Sequence, residues 1–137
     1  MYIGKSDKVI SFENAKLLKD KGFEERCIAY YNIAGELAAS INPSGYDHNA
    51  LQGYFSAPSR EDVLEWLRKK HDLFVEFTII EEEELKGYGD NEKYKWRICR
   101  DSDGVWCGVT GRAKTPTQAV ENSINCILTN FTAFSSK

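Results

Sequence analysis

Two histidines and four cysteines are the residues of this chain best suited to proton transfer or nucleophilic attack: His48, His71, Cys27, Cys99, Cys107 and Cys126. His48 has Asp47 beside it, with Tyr46 and Asn49 as further neighbours. A carboxylate next to an imidazole tunes its basicity, but adjacent side chains often point apart, so the pair is a weak sign of general-base chemistry. His71 stands at the end of a predicted helix, where positive charge complements the helix dipole. A nucleophilic cysteine needs a neighbouring base or a helix N-terminus to lower its pKa, and none of the four has one in the sequence around it. No two cysteines form a CxxC pair, so the spacing predicts neither a closed zinc site nor a redox dithiol.

Oxygen ligands are no better organised. Glu81–Glu84 are four consecutive glutamates, whereas a cation loop spaces its ligands at alternating positions; a solvated turn is the expected structure. Asp101, Asp103 and Gly104 resemble a fragment of a calcium loop, but Arg112 stands where the closing glutamate belongs. Gly104, Gly108 and Gly111 have the wrong spacing for a phosphate-binding turn, and no helix opens after them. The residues therefore predict no metal, no cofactor and no catalytic group, and point to a binding protein rather than an enzyme.

The elements that position these residues are clearer. Helices are predicted over Phe12 to about Lys21, Arg60 to about Lys70 and Pro116 to about Phe131. Ser11, Ser59 and Thr115 stand where a side-chain oxygen can satisfy a first-turn N–H. Gly22 stops the first helix. In the second, Val63, Leu64 and Leu67 are the expected core positions, with Trp66 at the margin. Cys27–Asn32 is a β-type run, and Glu36 to Ala39 is a second short strand. Residues 41–58, rich in Asn, Gly, Ser and Pro, read as a long irregular loop whose aromatics Tyr46, Tyr54 and Phe55 pack inward.

Leu73 to Glu81 alternates as a strand, followed by Tyr94 to Arg100 and Val105 to Val109 around an Asp-Gly hairpin loop. The expected pairing sets Arg100 against Val105, Ile98 against Cys107 and Trp96 against Val109. The whole reads as an α+β fold, an antiparallel sheet packed on one side by helices. Its C-terminal half, 59–131, has the order α-β-β-β-α; residues 1–58 supply a helix, a strand and the long loop. A chain of 137 residues suits a single domain.

The pairing divides the sheet into two faces. Trp96 and Ile98 belong to a core face with Leu73, Val75, Phe77 and Ile79. The opposite face carries Phe74, Glu76, Thr78 and Ile80, together with Lys93, Lys95, Arg97, Cys99 and Trp106. It is too apolar to be comfortable in water, so either the N-terminal helix and the long loop cover it or a partner does; Trp and Arg are enriched at the energetic centres of interfaces. The candidate binding residues are Arg97, Trp106, Lys95, Lys93 and Phe74, and the expected partner is another protein or a second copy of the chain. A net charge of -3 makes nucleic acid an improbable general partner. The same basic and aromatic residues form the alternative, a weak RNA or single-strand site.

The helix–strands–helix order of the C-terminal half resembles the double-stranded-RNA-binding domain in topology. That resemblance implies a lysine-rich opening to the last helix; here the opening is Thr115, Pro116, Thr117 and Gln118, after Arg112 and Lys114. A longer likeness runs through Glu13 to Phe23, Cys27 to Asn32, Ala57-Pro58-Ser59, Leu64 to His71 and Thr115 to Leu128. In these segments the chain resembles small uncharacterised proteins of phages and integrated mobile elements of gut bacteria. The likeness implies an accessory role in a bacterial cytosol and brings no active site. Cytoplasmic placement is also expected from reduced cysteines, the charged start Lys5, Asp7 and Lys8, and the lack of any apolar run of membrane-spanning length.

Overall fold

The computed structural model describes residues 8–80 and 92–130, in an α+β arrangement of three helices and two antiparallel three-stranded sheets. The chain divides into two compact units, residues 1–62 and 63–137. The glutamate run Glu81–Glu84, Phe131 and the tail beyond it, and residues 1–7 lie outside the described residues.

The first unit opens with α1 (Phe12–Asp20). The Ser11 hydroxyl accepts from the Asn14 amide at 3.2 Å, and Gly22 follows the helix with a φ of 89°. Ala15 and Leu18 are fully buried. Three strands follow: β1 (Ala29–Asn32), β2 (Leu37–Ala39) and β3 (Tyr54–Ser56), in the order β2-β1-β3. The segment 41–58, expected to be irregular, thus contains an edge strand and a 3-10 turn at His48–Ala50. The strand is only three residues long and lies among turn formers, so no alternation marks it. It forms because β1 offers an open edge: Tyr30, Tyr31 and Asn32 pair with Ser56, Phe55 and Tyr54. β2 forms despite poor β propensity because its alanines fit opposite Ala29 and Tyr30 in a close-packed interior. Ala29, Leu37 and Ala57 make the sheet's buried cluster, with Val9 and Tyr31 packed against it.

α2 (Arg60–His71) crosses the division after Asp62. Its opening amide, from Asp62, bonds to the Ser59 hydroxyl at 3.1 Å. Trp66 is buried together with Val63 and Leu67, whereas Leu64 is only half-buried; the apolar stripe is rotated toward Trp66 relative to the expected one. Asp72 then takes a left-handed φ of 57°, a conformation that its short polar side chain tolerates. Its carboxylate accepts from the Ser102 amide at 2.8 Å and hydroxyl at 2.7 Å, tying the end of α2 to the distant hairpin loop.

The second sheet is β4 (Leu73–Ile79), β5 (Tyr94–Arg100) and β6 (Trp106–Ala113), in that order. α3 (Pro116–Thr129), opened by the Thr115 hydroxyl on the Gln118 amide, packs against β5 and β6. Trp96, Ile98, Leu73 and Val75 share the core with Ile124, Ile127 and Leu128. The core face stops short along β4: Phe77 and Ile79 are exposed, while Ile80, expected on the far face, is buried just past the strand.

The hairpin begins as expected, with the Arg100 amide on the Val105 carbonyl at 2.8 Å and Cys99 opposite Trp106. It then shifts. Ile98 pairs with Val109 and Trp96 with Gly111, where Cys107 and Val109 were expected, because a bulge at Cys107 and Gly108 inserts two residues into β6. β6 accordingly runs on to Ala113. An even-numbered insertion preserves which side each residue faces, so the two faces survive the changed register. The Trp96 indole lies over Gly111, where a β-carbon would stand 2.2 Å from the ring. Only glycine leaves room for it.

Candidate functional site

Strand pairing places most of the expected binding residues on one face in three cross-strand rows. The first is Phe74–Cys99–Trp106, the second Glu76–Arg97–Thr110 and the third Thr78–Lys95–Arg112. Directly opposed residues project to the same side, so this order follows from the backbone alone. The face is therefore graded: aromatic at the hairpin end, an ion pair in the middle, basic at the other end.

In the aromatic row, Phe74 is 45% and Trp106 52% exposed, while Cys99 between them is buried. The Trp106 Nε1–H donates to the Val109 carbonyl at 3.1 Å. The bulge supplies that acceptor by bringing Val109 back toward the start of the strand. The indole thus has its polar group satisfied and its apolar surface open to water.

The middle row is electrically balanced. Arg97 Nε lies 2.6 Å from Glu76 Oε1, and a second guanidinium nitrogen reaches Oε2 at 3.3 Å. The carboxylate holds the guanidinium above its ordinary pKa. Both side chains are substantially solvated, so the pair adds little to stability and opens at little cost. Lys93 stands apart from the rows, one residue before β5. It is exposed, with its ammonium 5.5 Å from the Tyr94 ring centroid.

The histidines and cysteines occupy quieter positions. His48 is buried, with Nε2 3.1 Å from the Cys27 carbonyl; burial lowers its pKa. His71 meets the Trp66 ring edge to face. Burial, with Asp62 adding to it, pushes the Cys27 thiol up to about 12, which keeps it protonated. Among the described residues, no cluster of three or more His, Cys, Asp or Glu side chains is arranged to hold a metal, and no helix is long and apolar enough to cross a membrane.

Sequence reasoning found the face but missed what orders it. The bulge that anchors Trp106 had one available signal, Gly108 in mid-strand. Glu76 and Arg97 were legible as members of one face; that they stand opposite each other comes from the β4–β5 register. No family model matches the chain, and no curated protein or solved structure matches it either.

Proposed function

We propose that the protein is a non-enzymatic binding protein that takes a protein partner on the outer face of its second sheet. The observation that carries this reading is the Trp106 indole: half-exposed, in the same cross-strand row as Phe74, with its N–H already bonded to Val109. A tryptophan whose polar atom is satisfied gains nothing from water, and fixing its ring beforehand lowers the entropy cost of binding. The grading of the face describes the partner. An apolar side chain would sit on Trp106 and Phe74, with a carboxylate flanking it toward Lys95. The resemblance to phage and mobile-element proteins supplies a context, that of an accessory factor in a bacterial cytosol.

A single-stranded nucleic acid on Lys93, Lys95, Arg97 and Trp106 is the competing reading. Two observations weigh against it: Arg97 is neutralised by Glu76, and Lys93 lies outside the rows. The test compares wild type with the Trp106→Ala/Arg97→Ala double variant in affinity capture, after circular dichroism shows both folded. Loss of an interface anchor costs roughly 2 kcal/mol or more, a weakening of about 30-fold. Capture that is undiminished in the double variant removes the reading. Capture that is abolished by nuclease and falls steeply with salt transfers the face to nucleic acid.

A further inference from the structure

The first unit contains a groove of about 510 Å³ on the side of its sheet away from the Phe12–Tyr31–Phe55 cluster. It is an open groove lined by Tyr30, Tyr46, His48, Leu51 and Tyr54, with Ala39 to Asn42 along one margin. The volume lies within the range of small-molecule sites. The rings are ordered: His48 stacks on Tyr30 at 4.2 Å and 23°. Tyr46 stands edge-on to His48 at 64°, and Tyr54 edge-on to Tyr30 at 69°.

The backbone around the groove is fixed from outside it. Lys19 on α1 donates to the carbonyls of Leu51 at 2.7 Å and Tyr54 at 2.8 Å. The Asn49 side chain bridges the Phe23 carbonyl and the Ser56 amide. Gly45, at a φ of 76°, lies so close to Cys27 that a β-carbon would stand 2.9 Å from its carbonyl carbon. Backbone fixed in this way limits the ordering that a ligand's binding would cost.

The chemistry of the lining narrows the ligand. None of the residues lining it is charged at neutral pH, and the Asp47 carboxylate beside His48 accepts from the Asn49 amide instead of lining the groove. His48 is 6% exposed, and a carbonyl can only accept, so its Nε2 carries the proton. That leaves Nδ1 as a lone-pair acceptor, for which the described residues supply no donor. Nor do they bond the hydroxyls of Tyr30, Tyr46 or Tyr54. We propose that this groove binds a small uncharged planar heteroaromatic compound, whose ring stacks among the tyrosines and whose ring N–H donates to His48 Nδ1.

The test is ligand-observed NMR on the full chain with indole, benzimidazole and adenine, and with N-methylindole as the compound lacking the donor. Saturable binding by at least one N–H heterocycle is expected, with N-methylindole about tenfold weaker than indole, the worth of one hydrogen bond. Tyr54→Ala, at a 40% exposed position, should weaken binding without unfolding the chain. His48→Phe should erase the preference for indole over its methylated form. Binding by none of the heterocycles overturns the proposal, as does equal binding of the two indoles or binding that Tyr54→Ala leaves unchanged. Choline binding in their place would assign the groove to a cation and overturn it as well.

Discussion

His48 is held neutral by burial, and this fixes the sign of one contribution to stability. Its folded pKa lies below the ordinary 6.5. Between that lowered value and 6.5 the unfolded chain binds more protons than the folded one, so stability falls as pH falls. The contribution is complete above pH 6.5 and is lost as pH drops toward the folded pKa. The groups around the imidazole are Tyr30, Tyr46, the Cys27 carbonyl and Asp47, and only Asp47 carries charge at neutral pH. His71 is shifted in the same direction by burial and adds to the effect. The urea midpoint of wild type should therefore decline from pH 7.5 to pH 5.5, and less steeply in His48→Phe. Identical pH profiles for the two proteins would show that His48 ionises as freely folded as unfolded.

At the scale of elements, β6 is where the sequence and the structure part, and Gly111 tests why. Its missing side chain is the seat of the Trp96 ring, whose Nε1 is buried without a partner among the described residues. Gly111→Ala forces the indole off its rotamer or separates the strands, at a cost of about 1–3 kcal/mol. For a unit of this size that lowers the melting temperature by roughly 4–8 °C per kcal/mol. Combining Gly111→Ala with Trp96→Leu should cost less than the sum of the single changes, because the smaller side chain vacates the contested space. Strict additivity in calorimetry would mean that the two positions do not meet.

The same strand shows which features a sequence displays. Ser11, Ser59 and Thr115 announce their helices because capping is a local event, decided by one side chain and an amide three residues on. The alternation of Leu73 to Ile79 and of Tyr94 to Arg100 gives the faces, and with them the Phe74, Arg97 and Trp106 surface. The bulge shows only in the pairing: it sets Gly111 rather than Val109 opposite Trp96, and two inserted residues leave the polarity pattern unchanged. β3 is hidden for a related reason, since three residues pair only because β1 has an edge to offer. His48 was visible as a residue with an acidic neighbour; the groove it lines depends on Tyr30 and Tyr54, which lie on different strands.

At the scale of the molecule, two units each have a buried set of their own, and this bears on how the chain opens. Leu18, Phe23, Ala29, Leu37 and Ala57 serve the first; Trp96, Ile98, Ile124, Ile127 and Leu128 serve the second. Compact units can open as separate cooperative blocks, and disturbing each alone tests whether these two do. Ile98→Ala removes a fully buried side chain from the centre of the second sheet and should cost about 2–5 kcal/mol. Native-state hydrogen exchange should then show amides of β4, β5 and β6 exchanging faster by that free energy, with β1 and its neighbours little changed. Leu18→Ala should produce the converse pattern, confined to the first sheet. If either substitution accelerates exchange equally in both sheets, the chain opens as one block. Measuring both variants also decides whether a ligand in the tyrosine groove could stabilise the sheet that carries Trp106: separate opening forbids that coupling, and joint opening permits it.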